Sequence, residues 1–294
     1  MGVKGLYSYL RRYRRPLKEK TLVRIGKRKR IGVDALSLLY KFRGELDKLF
    51  AALSPFHEAG FQCIFVMDGK APETKHDEIE ARREKRTEAQ GEVETLRTFL
   101  ENPESASMDE RSRNILERRI ETLEKGAAWQ LTRQTRHALR DALSARGIPC
   151  LKANGEADDL LIAMYKCSYI DGIVSGDMDF LVAGTWHLFI PTTAGLEEVW
   201  LSEVLRNEDM KLEQFQDAAI LCGIDTGLSY KHISPESAFA RIRHYGSLEA
   251  LMQKKPNVVK FPENYLEEIR RRLSEVIVPE GLVRDKKEFV ELFS

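Results

Sequence analysis

Seven carboxylates stand out by where they fall. Asp34 closes the apolar run Arg30-Ile31-Gly32-Val33-Asp34, and Asp68 closes Phe61-Gln62-Cys63-Ile64-Phe65-Val66-Met67-Asp68. Glu156 and Asp158 lie in Gly155-Glu156-Ala157-Asp158-Asp159, where a turn enters a helical stretch. Asp177 and Asp179 follow a third apolar run at 170–174, and Asp225 ends Cys222-Gly223-Ile224-Asp225. Carboxylates brought together repel and raise one another's pKa unless a cation compensates. Hard divalent ions fit such all-oxygen sets. Mg²⁺ fits best, because it keeps several waters and accepts phosphate oxygens, and Mn²⁺ is expected to substitute. Two ions about 3.5–4 Å apart could serve both sides of a phosphodiester. No His–Cys set has zinc spacing, and neither a Walker A nor a GxSxG motif is present. Lys75 and Arg82 follow Asp68 at +7 and +14, on one face of a helix, from which they could neutralise phosphate. Each residue also has an ordinary role open to it. An Asp after a strand makes Asx-turns or caps, Glu156 and Asp158 suit the positive end of a helix, and basic helices interleaved with acids are commonly just solvated.

To bring these acids together, the chain needs parallel strands. Strands alternating with helical patterns predict an α/β fold with a mostly parallel twisted sheet flanked by helices, its ligands outside the carboxyl ends of the strands. Asp34 is followed by a helical stretch at 36–53. Residues 73–146 interrupt the alternation, with 31 of 74 residues charged, 16 acidic and 15 basic. They read as two long helices separated by Glu101-Asn102-Pro103-Glu104-Ser105. The second opens with a capping box, Ser107 and Glu110, and stops at Gly147. Its apolar stripe, Leu116, Ile120, Leu123 and Ala127, is narrow, so a projecting hairpin is expected; a coiled-coil dimerisation arm stays open. The last third is helical at 212–222, 235–245 and 265–276, with Ser234-Pro235 opening one helix and Gly246 closing it.

The chain has 294 residues, 43% apolar and 32% charged. Four cysteines, 63, 150, 167 and 222, form no CxxC pair and suit neither a disulfide scaffold nor a zinc ribbon. No run reaches the roughly 18 apolar residues of a membrane span. The basic N-terminus lacks an apolar h-region, and position 6 is Leu rather than the Ser/Thr of a myristoylation site, so a soluble intracellular protein is expected. The net charge of +1 hides +11 within residues 1–30 and −10 in the rest. Such asymmetry suggests a polyanionic partner, or else a solvated arm or import signal at Lys27-Arg28-Lys29-Arg30.

Six motifs resemble, in order and spacing, the flap endonuclease (XPG-like) family of structure-specific 5′ nucleases. They are Met1-Gly2-Val3-Lys4-Gly5-Leu6; Val33-Asp34-Ala35 with Tyr40; Met67-Asp68-Gly69-Lys70-Ala71-Pro72-Glu73-Thr74-Lys75; Gly147-Ile148-Pro149 before Glu156 and Asp158; Gly176-Asp177-Met178-Asp179; and Leu221-Cys222-Gly223-Ile224-Asp225. The resemblance runs from residue 1 to about 280. It implies a PIN-like nuclease core in a single nuclease domain, 1–294. The parts would be an N-terminal nuclease region (1–72), a helical arch around a 5′ single strand (73–146), an internal nuclease region (147–210), and a helix–two-turn–helix DNA-binding region with C-terminal helices (211–294). Asp34, Asp68, Glu156, Asp158, Asp177, Asp179 and Asp225 would hold two Mg²⁺ ions, with Lys75, Arg82 and Asp177 catalytic. Gly2, Tyr40, Lys75, Arg82 and Lys231 would meet DNA, Tyr40 by stacking on a base. The partner implied is branched or nicked duplex DNA with a 5′ single strand, cut by a monomer in replication, repair or recombination, in the nucleus or cytoplasm.

The resemblance departs at Lys231-His232-Ile233-Ser234-Pro235-Glu236, which has no glycine and an acid where the family has a base. That counts against a K⁺ ion at the helix–two-turn–helix. A Gln-x-x-hydrophobic-x-x-Phe-Phe tail for a sliding clamp is also missing, and the compact form is similar to versions encoded by large DNA viruses. A PIN-like ribonuclease and a non-catalytic DNA scaffold remain as alternatives.

Overall fold

The computed structural model describes residues 3–25, 29–69, 76–102, 108–127, 131–224, 233–259, 261 and 264–274. The chain divides into two compact units, Met1–Lys70 with His137–Ser294, and Ala71–Arg136. Along the chain lie α1 (Leu6–Tyr9) with a 3-10 turn (Leu10–Tyr13), β1 (Arg15–Pro16), α2 (Glu19–Ile25), β2 (Arg30–Asp34), α3 (Ala35–Lys41), α4 (Leu46–Glu58) and β3 (Gln62–Met67). Next come α5 (His76–Glu101), α6 (Glu110–Ala127), α7 (Arg133–Ala145), β4 (Cys150–Lys152), α8 (Ala157–Lys166), β5 (Gly172–Val174), α9 (Asp179–Val182), β6 (His187–Thr192) and β7 (Gly195–Trp200). The last helices are α10 (Leu201–Glu208), α11 (Leu212–Cys222), α12 (Pro235–Tyr245), α13 (Leu248–Lys254) and α14 (Tyr265–Ser274).

The larger unit is built on one seven-stranded sheet, in the order β1-β7-β6-β5-β2-β3-β4. Strands β4, β3, β2, β5 and β6 are parallel neighbours, and β7 returns antiparallel to both β6 and β1. Val33 and Val66, whose side chains are fully buried, show why these strands form: β-branched residues pack well on a pleated surface. The chain leaves β2 toward β3 on one side and meets β5 on the other. The topological switch point therefore lies between β2 and β5, where open α/β sheets bind their ligands. Helix α8 covers one face, and Gly32 makes its close approach possible. A Cβ at Gly32 would meet Leu161 and Ile170 side chains at 2.6 Å. On α4, Phe56 packs edge-on against Phe189 of β6, with ring centroids 4.9 Å apart.

The stretch read as one helix over 36–53 is two. Arg43 and Gly44 both adopt positive φ (50° and 74°), which ends α3 before α4 begins. In the smaller unit the second long helix is likewise interrupted, α6 stopping at Ala127 and α7 starting at Arg133. The Thr132 hydroxyl accepts the Thr135 N–H at 3.1 Å, which supplies a new N-cap. Helix α6 is capped by Asp109, whose carboxylate accepts the Ser112 N–H at 3.0 Å; Ser107 lies outside the described residues. Helices α5 and α6 pack on each other, with Ile120 buried and Arg119 forked onto Glu92 at 2.9 and 3.1 Å. Among the described residues, no helix is long and apolar enough to cross a membrane.

Candidate active site at the carboxyl edge of the sheet

Asp34 ends β2, Asp68 follows β3, and Ser175 to Asp177 follow β5, so three adjacent parallel strands deliver acids to the same edge. Asp34 is 7% exposed. One of its oxygens caps α3 by accepting the Ser37 N–H at 3.1 Å, and the other accepts the Ser175 hydroxyl at 2.8 Å. The Ser175 oxygen in turn accepts the Asp177 N–H at 3.1 Å, while the Ser37 hydroxyl accepts the Gly176 N–H at 2.8 Å. Two serines thus tie the end of β5 to the end of β2.

The next strand is tied in the same manner. Asp68 accepts the Ala157 N–H at 2.8 Å, and the Gly69 N–H donates to the Gly155 carbonyl at 2.7 Å. These bonds seat the first turn of α8 beside β3. Glu156 occupies its N-cap position without capping it through the side chain, and Asp158 lies in its first turn. Beyond β5, Asp177 accepts the Asp179 N–H at 2.9 Å. Asp179 accepts the Val3 N–H at 2.9 Å, which brings the N-terminal segment to the same edge.

The electrostatics follow from this crowding. Burial raises the Asp34 carboxyl above its ordinary pKa; hydrogen bonds from Ser37 and Ser175 offset part of that, and the charges of Asp68 and Asp177 add to it. Asp158 is driven well above the ordinary range, first by burial and then by Asp34, Asp177, Asp179 and Asp68. Five carboxylates therefore act on one another at one edge. Among the described residues, no three His, Cys, Asp or Glu side chains close on one point as a finished metal cage. Oxygens of Asp34, Asp68, Asp177 and Asp179 are engaged by N–H or O–H donors, and charges without a counterion stand apart. The donor set is nonetheless all oxygen and crowded, with Asp34 almost fully buried, which suits hard divalent cations.

Tyr40 lies on α3, six residues beyond Asp34, and is 50% exposed. Gly2, Lys75, Asp225 and Lys231 lie outside the described residues. Arg82 is on α5 in the other unit, and its side chain is likewise outside them. Sequence reasoning missed Ser37, Ser175 and Gly69. An Asp followed three residues later by Ser at a strand–helix junction is a capping signal that points to Ser37. The bonds of Ser175 to Asp34 and of Gly69 to Gly155 carry no such signal, because those partners are distant in sequence.

The fold is shared with the catalytic core of Rad2 and with GEN1. The catalytic core of Rad2 in complex with DNA substrate superposes with a TM-score of 0.57 at 19% identity, covering 99% of this chain and 83% of that one. The Holliday junction-resolving enzyme GEN1, in complex with product DNA, Mg²⁺ and Mn²⁺, gives 0.55 at 15%, covering 98% and 68%. The model of the XPG I-region matches residues 147–225, the stretch that carries Glu156, Asp158, Asp177, Asp179 and Asp225. Flap endonuclease 1 of Entamoeba histolytica is 29% identical over 291 residues, covering 90% of this chain and 73% of that protein. In both comparisons the chain is similar to the XPG-like flap endonuclease family.

Proposed function

We propose that this chain is a divalent-cation-dependent 5′ nuclease that hydrolyses DNA at branched or nicked junctions carrying a 5′ single strand. The observation that carries this reading is the convergence of Asp34, Asp68, Asp158, Asp177 and Asp179 on one edge of the sheet, where burial raises the carboxyls of Asp34 and Asp158 and their neighbours' charges add to it. Two Mg²⁺ ions, replaceable by Mn²⁺, would supply the positive charge that a phosphodiester and its attacking water need there. Asp34, Asp68, Glu156, Asp158, Asp177, Asp179 and Asp225 would hold them.

The chain's own groups do the rest. Lys75 and Arg82 would neutralise the scissile phosphate and its neighbour. Tyr40, with half its surface exposed, would offer a stacking face for an unpaired base. The Ser37 and Ser175 bonds fix Asp34 and Asp177 before substrate arrives, as positioning catalysis requires. Water attacks phosphorus, the bond from phosphorus to the 3′ oxygen breaks, and that oxygen takes a proton, leaving a 5′-phosphate and a 3′-hydroxyl. The arch at 73–146 would receive the 5′ strand, and α11 and α12 would hold duplex through its backbone, by shape rather than sequence. A monomer acting in the nucleus or cytoplasm, without a K⁺ ion at 231–236, completes the reading.

The test is cleavage of an end-labelled 5′-flap duplex, with single-strand, nicked and blunt controls, in Mg²⁺ and in EDTA. Cutting at the junction that needs the metal and is lost in Asp177→Asn is the expected result. Tight flap binding without cutting in Mg²⁺ or Mn²⁺ would replace this reading with a DNA-binding scaffold.

A further inference from the structure

Glu208, the last residue of α10, is 3% exposed, yet it is charged and far from the carboxylate edge in sequence. Four side-chain donors converge on its two oxygens. The Tyr9 hydroxyl donates at 3.0 Å, the Tyr13 hydroxyl at 2.5 Å, Arg12 Nη2 at 2.5 Å and Arg243 Nη2 at 2.6 Å. Arg243 Nε also donates to the Glu208 carbonyl at 3.0 Å. A carboxylate has about four lone-pair sites, so this one is saturated. The Arg12 guanidinium is further fixed over the Tyr9 ring, 4.1 Å from its centroid.

These donors come from two places that matter to the site. Tyr9, Arg12 and Tyr13 belong to the N-terminal segment, whose Val3 N–H donates to Asp179 and whose Lys4 N–H donates to the Gly223 carbonyl at 3.1 Å. Arg243 belongs to α12. The same N-terminal segment touches α12 directly: a Cβ on Gly5 would meet Pro235 at 3.1 Å, and the Tyr9 and Phe239 ring centroids are 4.5 Å apart. One short segment therefore has one end on an active-edge carboxylate and the other, through Glu208, on the helix pair proposed to hold duplex.

We infer that Glu208 is a positioning residue, which sets where on the substrate the cut falls by locking α12 to the N-terminal segment that braces Asp179. This rests on the proposed nuclease reading for its consequence, although the lock itself does not. Removing the Glu208 charge leaves two guanidinium groups and two hydroxyls around a carboxamide that cannot accept four bonds. The bracing segment then gains freedom at both ends.

The experiment compares the wild-type chain with Glu208→Gln and the milder Tyr13→Phe, which deletes a single bond. The control is Asp217→Asn. It breaks an equally buried pair, Asp217 with Arg270 at 2.5 Å and with the Leu248 N–H at 2.9 Å, that does not reach the N-terminal segment. Amide hydrogen exchange at Val3 and Lys4 is expected to speed up by about tenfold in Glu208→Gln, less in Tyr13→Phe, and not in Asp217→Asn. On the flap duplex, Glu208→Gln should scatter incision by about one nucleotide around the wild-type position. Unchanged exchange in both Glu208→Gln and Tyr13→Phe, or equal changes in the control, would overturn the inference. So would faster exchange with an unmoved cut. A wild-type chain that cuts nothing refutes the nuclease reading instead, and the exchange comparison still decides whether Glu208 locks the segment.

Discussion

Replacing Gly69 by alanine puts the sharpest demand on the carboxylate edge. A Cβ at that position would lie 2.0 Å from the Ala153 carbonyl oxygen, 2.7 Å from that of Asn154 and 2.8 Å from the Asn154 carbonyl carbon. These are backbone atoms, so no rotamer change relieves the clash. Interiors are close-packed and non-bonded atoms need about 3 Å or more, so the end of β3 and the turn at 153–154 must part by roughly 1 Å. Those segments are clasped by the Gly69 N–H on Gly155 and the Ala157 N–H on Asp68. Parting them carries Asp68 away from Glu156 and Asp158. The overpacking should cost about 1–3 kcal/mol of stability, and a misplacement near 1 Å should lower single-turnover cleavage about 10²-fold. Gly172→Ala is the comparison, since its Cβ would meet Phe189 Cε2 at 2.6 Å, a core ring away from the acids. It should lose similar stability and far less activity. Single-turnover flap cleavage beside thermal melting tests both. Wild-type cleavage by a fully folded Gly69→Ala protein would refute the reasoning.

Two further outcomes follow from charge. Asp158→Asn removes one member of a self-repelling set, so melting in EDTA should rise above wild type, while the rise on adding Mg²⁺ should shrink because a ligand stabilises only the state it binds. A lower EDTA melting temperature would contradict this. Burial pushes the Glu208 carboxyl up, but hydrogen bonds from Tyr13, Arg12 and Tyr9 outweigh it and hold the group below its ordinary value. Its stabilisation is thus fully present above the ordinary glutamate value and fades as pH falls through the lowered one. Denaturant midpoints of wild type should drop from about pH 5 downward, and the slope should flatten in Glu208→Gln.

The parallel core was legible because its strands are short apolar runs that end in acids: β2 matches the run at 30–34 in full, and β3 and β5 fall within their runs. Helices α11 and α12 also match their sequence patterns, the latter from Ser234, whose hydroxyl caps it, to Gly246 at φ 88°. The hairpin of β6 and β7 was hidden. Its alternation is broken by Glu198, an acid 6% exposed that is paired with the Thr21 hydroxyl at 2.9 Å and the Trp200 indole at 3.1 Å. No local pattern announces a buried acid whose hydroxyl partner, Thr21, sits on α2 at the other end of the sequence. The N-terminal basic run shows the same limit. Arg12 and Arg15 pair with Glu208 and Glu203, and Arg14 lies 3.8 Å from Glu197, so three of those charges are answered by acids nearly 200 residues away. Asp34, Asp68, Asp158, Asp177 and Asp179 could be picked out because chemistry dictates their type; the bonds that aim them could not, because most depend on chain crossings.

The outermost strands of the sheet are very short, two residues for β1 and three for β4. Moreover, Pro16 has no amide hydrogen to offer another chain. A sheet bounded in this way gives a foreign strand almost nothing to extend, which guards against edge-to-edge polymerisation. In a seven-stranded sheet whose inner strands are mostly parallel, such short outer strands leave little backbone for another copy to pair with.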